Sequence, residues 1–495
     1  MLSVIVFLPL AVATFLAVAR GLPGKVARLA WVATTVVDLA LLIMLTIAGG
    51  PGPNGLMAEE RVEWMPQLGS SYHLGVDGIS LPLLLLTGVI FVACAIWALR
   101  ETDRPRPQAA LFLFLQTTCL GLFAAQDLIL FFLFFDLSIV GMYFVIAGWG
   151  HGNHRRSALV FFIYTFLGSL SLLLGFIGLY LGAAPRTFDM VELSRQDAFT
   201  GSPLAAGFVL AAIILGLAVK TPVFPFHSWL PPAHTDAPAI GSVVLAGLLL
   251  KMGTYGFVRI AMPMLPDAWR AWAWVLIAIG IASVLYGALV AVVQTDIKRM
   301  IAFTSVNHMG YIVLAVGAAG ILGADNAEAQ RLAIVGAVTQ MVSHGLVTGA
   351  LFLLAGVFYD RTGSYDLRRY GGLAHPAPRF AGFFAVAAFA SLGLPGFSGF
   401  IAEFQIFTGS IGTTPWALVA LPGILITAVL FLRAFQRIFT GPTQKLSAGF
   451  ADLLPREITA LAILMALAVL IGILPGPLLG MIGPAAQDLV VSLGP

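Results

Sequence analysis

Lys220 lies in the apolar run GLAVKTPVFPFHSWLPPAH (Gly216 to His234), which Pro222 and Pro225 interrupt, and Lys251 lies in the next, SVVLAGLLLKMGTYGF (Ser242 to Phe257). An ionisable group at the centre of a bilayer costs at least ~2.5–3.5 kcal/mol, so a chain keeps it for function or in a pair. The prolines break the helix at membrane depth. Such a break is tolerated where the freed backbone is buried in protein or lines a water-filled path. Desolvation disfavours a charged lysine and a nearby carboxylate restores the charge. A buried lysine therefore takes up or releases a proton as a carboxylate approaches or leaves.

Four more ionisable groups fall near the same level. Asp136 and His308 each lie about 14 Å from the start of their spans at 1.5 Å rise per residue, counted from Asp127 and Arg299. Lys251 and His344 lie about 20 Å from Pro238 and Arg331. Glu403 follows a second break, SLGLPGFSGFIAEF (Ser391 to Phe404), which contains Pro395. Histidine titrates near physiological pH. With intervening water, the row of Asp136, Lys220, Lys251, His308, His344 and Glu403 has the chemistry of a proton relay.

Each residue also has a plainer reading. The lysines could snorkel, although Lys251 is too central for that. Asp136 could lock helices in an ion pair. Each histidine could hydrogen-bond to a neighbouring helix, and Glu403 could satisfy backbone N–H groups freed by the break. His227 and His234 flank PFHSWLPPAH, where proton uptake, gating and loop structure compete. Asp38 is intramembrane with no evident partner. Asp127 reads as a helix N-cap. Asp296, Lys298 and Arg299 read as an interfacial cluster at a helix start.

The elements that hold this row must be membrane helices. The 495 residues are 59% hydrophobic and only 10% charged, against roughly 25% charged in soluble domains. That composition specifies an all-α polytopic membrane protein in contact with the bilayer and gives no sign of a nucleic-acid partner. Apolar runs predict spans near 2–19, 28–48, 79–99, 109–125, 127–149, 158–182, 204–227, 238–260, 270–293, 300–320, 331–357, 380–408, 415–439 and 457–482. The first is expected to be retained, since its first arginine, Arg20, comes after the apolar run.

With the N-terminus outside, only six of the 26 basic residues fall in outside segments: Arg61, Arg186, Arg195, Arg259, Arg270 and Arg331. Lys220 and Lys251 lie within spans, and all the others face inside. This asymmetry predicts an even number of helices with both termini outside. Cys94 and Cys119 are the two cysteines. They cannot supply an iron–sulfur ligand set, and no metal or cofactor site is expected. GPGPNG (Gly50 to Gly55) matches a dinucleotide fingerprint in letters alone, because it comes after a helix in a Pro-rich loop.

The runs VKTPVFPFHSWLPPAHTDAPAIGSVVLAGLLLKMGTYG, QTDIKRMIAFTSVNHMGY and TQMVSHGLVTGALFLLAG resemble the antiporter-like membrane subunits of proton-pumping NADH:quinone oxidoreductase, respiratory complex I. Subunits of multi-subunit Na⁺/H⁺ antiporters share that family. The resemblance spans roughly residues 70–440. It implies a single membrane domain, 1–495, of fourteen helices. Two inverted five-helix repeats, 109–260 and 270–440, would each hold a broken helix, near Pro222 and Pro395, with flanking helices in 1–99 and 457–482. Lys220 would be the channel lysine of the first half, Asp136 its paired carboxylate and Lys251 the bridging lysine. His308 and His344 would fall on the connecting path, and Glu403 would be the terminal acid. The second broken helix usually carries lysine, so Glu403 points to the branch with glutamate there. The absence of a long lateral helix before Pro495 points the same way.

The fifth-span motif usually reads FFE with a proline five residues on. Here it is FFD with Gly141, a shorter acid for which an intervening water or a closer helix approach, supplied by the glycine, could compensate. The expected function is a translocase subunit without a redox centre of its own. Flavin, iron–sulfur clusters and quinone would reside in partner subunits, and neighbouring antiporter-like subunits would be partners too. The expected location is an energy-transducing membrane, the bacterial plasma membrane. A D-type subunit of a Na⁺/H⁺ antiporter is the alternative.

Overall fold

The computed structural model describes residues 1–50, 55–100, 103–196, 198–199, 201–321 and 326–494. Residues 51–54 of the GPGPNG run lie outside the described residues. The helices are α1 (Leu2–Val18), α2 (Gly24–Ala48), α3 (Ser80–Trp97), α4 (Pro105–Ala124), α5 (Leu128–Trp149) and α6 (His154–Gly182). α7 (Pro203–Lys220) and α8 (Leu230–Asp236) form one broken crossing. Then come α9 (Ala239–Met264), α10 (Pro266–Val292), α11 (Ile297–Ala318) and α12 (Ala327–Thr362). α13 (Pro378–Ser391) and α14 (Ser398–Thr413) form the second broken crossing. α15 (Pro422–Phe439), α16 (Pro455–Ile473) and α17 (Gly476–Ser492) complete the bundle.

Twelve helices are long and apolar enough to cross a membrane singly. With α1 and the α13/α14 pair they account for the fourteen expected crossings among the described residues. Their burial differs sharply. The membrane windows of α11 and α12 are wholly buried and that of α9 nearly so, whereas those of α2, α15 and α16 are only one-third buried. The polar residues of α9, α11 and α12 therefore sit inside protein, where their cost can be offset by partners.

Two expected boundaries are corrected, and the segment before α3 adds one small element to the helical fold. β1 (Ala58–Met65) pairs antiparallel with β2 (Ser70–Val76), with a bulge between Glu63 and Met65. The hairpin pairs the backbone of a segment that lies against the bundle, where lone peptide groups would be costly. It anchors α1, because the Glu60 carboxylate accepts from the N–H groups of Leu2 (2.8 Å) and Ser3 (3.0 Å).

The last span does not run to 482. It ends at Ile473, and α17 is a separate helix with Pro at its start. Pro475–Gly476–Pro477 removes two backbone donors and stops α16. Beyond the turn, α17 lies against Gly78 at the start of α3 and near Arg331, and Gly494 just past it lies near Arg270. Finally, α11 starts at Ile297, three residues before the expected span, which draws Lys298 into the bundle. Asp127 does cap α5, accepting from Ile129 (2.9 Å) and Leu130 (3.1 Å).

The hairpin is locked to the bundle by His73, which is 1% exposed. Its Nδ1 bonds to Asp189 at 2.7 Å and its Nε2 to Glu59 at 2.8 Å. Arg61 reaches Glu192 at 2.8 Å. Burial works against the charged ring, but the two carboxylates outweigh it and raise the His73 pKa above the ordinary 6.5.

Candidate functional site

Lys220 is the last residue of α7, a position where its cation faces the negative end of the helix. The freed backbone beyond it finds specific partners. The Trp229 indole donates to the Val219 carbonyl at 3.0 Å, and Phe224 N–H donates to Ser283 Oγ at 3.0 Å. This is the satisfaction that a break at membrane depth requires. The direct hydrogen-bond partner of Lys220 is Ser138, at 3.1 Å, and its ammonium lies 4.6 Å from the centre of the Phe135 ring.

Asp136 is on the same helix as Ser138 but turns towards α6, where it meets Ser169. Its charge acts on Lys220 through space; no direct ion pair joins the two among the described residues. Gly141 does not draw α5 towards α7. It packs against Leu115 of α4, where a Cβ would clash.

The second half of the row is closely spaced, with Lys251 and His344 in direct contact. Lys251 is flanked by two π-helical stretches, Leu245–Leu249 and Phe257–Ala261. Its Nζ donates to the Ala246 carbonyl at 2.6 Å and lies 2.5 Å from His344 Nδ1. The His344 ring is 5.4 Å from that of His308. His308 Nδ1 bonds to Gln340 at 2.9 Å, and its ring is 5.7 Å from that of Tyr311. Tyr311 is fully buried and lies within the electrostatic reach of Glu403.

Glu403 itself is 6% exposed. Its carboxylate fills the space beside Gly393, a residue of the second break with φ +75°. A side chain at Gly393 would be strained and would displace the acid. Ser343 and Ser398 bond at 2.8 Å and tie α12 to the start of α14.

His234 joins the row and His227 does not. The His234 ring is fully buried, stacked on Phe352 at 4.4 Å, and it faces Lys251 and Lys298 electrostatically. His227 sits among Phe224, Tyr286 and Phe303. Lys298, expected at the interface, is 0% exposed; its Nζ donates to the Ala237 carbonyl at 2.6 Å and lies 5.0 Å from the Tyr365 ring centre. Asp38 has a partner after all, since Gln116 of α4 donates to it at 2.7 Å.

Sequence reasoning thus missed Ser138, Tyr311, Gln340 and the burial of Lys298. Tyr311 and Lys298 were within reach. Tyr311 is one turn from His308 in TSVNHMGY, and Lys298 is one residue inside the true start of α11.

The family described as NADH:quinone oxidoreductase/Mrp antiporter, TM, matches residues 125–430, a segment that contains all six members of the row. Over 99% of its length the chain is 37% identical to NADH-quinone oxidoreductase subunit M of Rhodobacter capsulatus, of which it covers 96%. The chain belongs to the subunit M family of NADH-quinone oxidoreductase. Glu403, which pointed to one branch of the antiporter-like subunits, agrees with this membership of the M family.

A chain of respiratory complex I from Thermus thermophilus superposes on this M-family chain with a TM-score of 0.89, at 29% identity and complete coverage of both chains. A chain of the Mrp complex from Dietzia has the same fold, with a TM-score of 0.82 at 22% identity over 100% of this chain and 99% of that one. The fold is therefore common to both kinds of assembly, and sequence places this chain with subunit M.

Proposed function

We propose that this chain is the proton-translocating, antiporter-like subunit of a NADH:quinone oxidoreductase. The observation that carries the reading is the buried series Lys251, His344, His308, Tyr311, Glu403, which links the centre of the bundle to the second broken helix. Lys220 and Asp136 stand at the first. Flavin, iron–sulfur clusters and quinone belong to partner subunits, and redox chemistry there drives an electrostatic change along the membrane arm. When Asp136 moves away from Lys220, the neutral lysine is favoured and its proton leaves. Water carries it to Lys251, and the histidines pass it towards Glu403. His234 and Lys298 lie on the arginine-rich side and supply protons from there. Neighbouring antiporter-like subunits take up or relay the charge at the ends of the row. The assembly sits in an energy-transducing membrane, a bacterial plasma membrane, with both termini of this chain outside.

The test is K220A in the assembled complex. Electron transfer should persist while proton translocation collapses. A normal proton-to-electron ratio in a fully assembled K220A complex would remove the assigned role. The alternative, a D-type subunit of a Na⁺/H⁺ antiporter, rests on the shared fold. Small antiporter genes beside this one, in place of flavin and iron–sulfur subunit genes, would favour it.

A further inference from the structure

A groove of about 660 Å³ opens on the side of the bundle between α1, α4 and α5, away from the charged row. Small residues of the three helices, Ala13, Ala17, Ala110 and Ala147, recess its walls. Its deep end is marked by Leu10 and Phe114, about 13 Å from the rim by helix rise. That is close to the depth of one leaflet, half of a ~30 Å hydrocarbon core.

The rim is basic. Arg104 and Arg106 line it together with Trp149. The Arg104 guanidinium lies 4.8 Å from the Trp149 ring centre and donates to the Gly148 carbonyl. Arg106 donates to the Ala19 carbonyl at 2.5 Å, which brings the adjacent Arg20 to the same corner. None of the three arginines is in an ion pair among the described residues. Neutral carbonyls at the ends of α1 and α5 hold the two rim guanidiniums in place and leave their charge and other N–H donors free. Asp103 is the described acid of this loop. Its carbonyl accepts from the Trp149 indole at 3.0 Å, and the corner remains net positive.

We propose that this groove holds an acyl chain of an anionic phospholipid from the arginine-rich leaflet, with the phosphate on Arg104 and Arg106. A lipid fits better than a protein helix for three reasons. The groove is one leaflet deep, its walls are almost wholly apolar, and its charge is confined to the headgroup level. Tryptophan is enriched at that level, and basic pockets between membrane helices take anionic headgroups. The site does not depend on the proton relay.

The test uses the intact complex in membranes with photoactivatable phosphatidylglycerol and, separately, phosphatidylcholine bearing the same diazirine chain. Labelled peptides are mapped by mass spectrometry. Phosphatidylglycerol should label the Leu10–Ala17 stretch of α1 in preference to phosphatidylcholine. The double variant R104Q/R106Q should cut that labelling roughly ten-fold, and R104K/R106K should keep most of it. Ala17→Phe, which fills the groove, should abolish labelling while the rim stays intact. Native gels confirm assembly of each variant, and the lysine pair remains decisive if the glutamine pair fails to assemble. Equal labelling by both lipids, or labelling indifferent to R104Q/R106Q, overturns the proposal. So does a photo-crosslink from position 17 to a neighbouring subunit, which would make the groove a protein interface.

Discussion

Lys251 Nζ and His344 Nδ1 lie 2.5 Å apart, deep in the bundle, and neither forms an ion pair among the described residues. In a hydrogen bond between two nitrogens one must accept. The two residues therefore cannot both be cations in this geometry, and an excess proton belongs to the pair. Arginine at position 251 would keep a cation and a donor but could not give up its proton. K251R should therefore block proton translocation about as completely as K251A. A proton-to-electron ratio near normal in K251R would mean that the lysine is needed as a fixed charge only.

The Lys220 site separates a hydrogen bond from a charge. Ser138 makes the direct contact, and Asp136 acts from a distance. S138A should remove about 0.5–1.5 kcal/mol of local stabilisation and reduce pumping modestly. D136N should cut pumping far more while leaving the Ser138 contact in place. Equal effects of the two variants on proton translocation, measured in vesicles, would contradict this division.

Tyr311 lies 5.7 Å ring to ring from His308 and within the electrostatic reach of Glu403; its ring packs edge-on against Phe407 at 5.4 Å, and its hydroxyl bonds to Asn307 and Thr427. Phenylalanine would keep the packing and lose the hydroxyl. Y311F should assemble normally, with stability changed by about 1 kcal/mol, and should slow proton delivery to Glu403. Pumping at wild-type rate in Y311F would take the tyrosine out of the path.

Gly393 combines a left-handed backbone with the space that the Glu403 carboxylate fills. Gly393→Ala should cost roughly 1–3 kcal/mol and displace the acid. Thermal unfolding of the complex together with its pumping ratio reads both effects. E403Q with Gly393→Ala should be no worse for pumping than E403Q alone.

The His73 clamp gives the β1–β2 hairpin a pH dependence of known sign. The folded-state pKa of His73 is raised. The clamp is therefore at full strength below the ordinary histidine value of about 6.5 and is lost as the pH climbs through the raised value. For Asp189, burial opposes ionisation but His73 and Arg61 outweigh it and lower the pKa. Its contribution is present at neutral pH and disappears only in acid, as the pH falls through that lowered value. Amide exchange across β1 and β2 should accelerate beyond the intrinsic rate as the pH rises above about 6.5 through the raised value. H73Q should flatten that excess; an unchanged profile in H73Q would show that another group is responsible.

The helices and the charged row were legible because hydropathy and a constant rise fix both the crossings and the depth of each residue on them. Pro222 and Pro395 announced the breaks for the same reason. Azimuth was not legible. Asp136 and Ser138 share a depth, but only the packing of α5 shows that the serine faces Lys220 and the acid faces α6. Boundaries misled in two places. A start at 300 in place of Ile297 left Lys298 outside the membrane, and reading through Pro475 fused α16 with α17. The hairpin was hidden because β1 puts its charged and apolar residues out together. Val62 and Trp64 are both exposed, so the alternation expected of a half-buried strand is blurred.

The π-helical stretches of α9 set the phase of that helix. A π turn carries one residue more than an α turn, and each residue advances the side chains by about 100° around the axis. With one such stretch on either side, Lys251 belongs to a sector of α9 offset from the segments both before and after it. Winding the same residues of Leu245–Leu249 as a regular α-helix would swing Lys251 by about 100°, from His344 into the packing of another helix. Deleting one residue there would instead turn the wide turn into an α turn and leave Lys251 facing His344, with α9 shorter in sequence by that one residue. The wide turns thus work as an angular key: they decide which neighbour the central lysine addresses, at almost no cost in length.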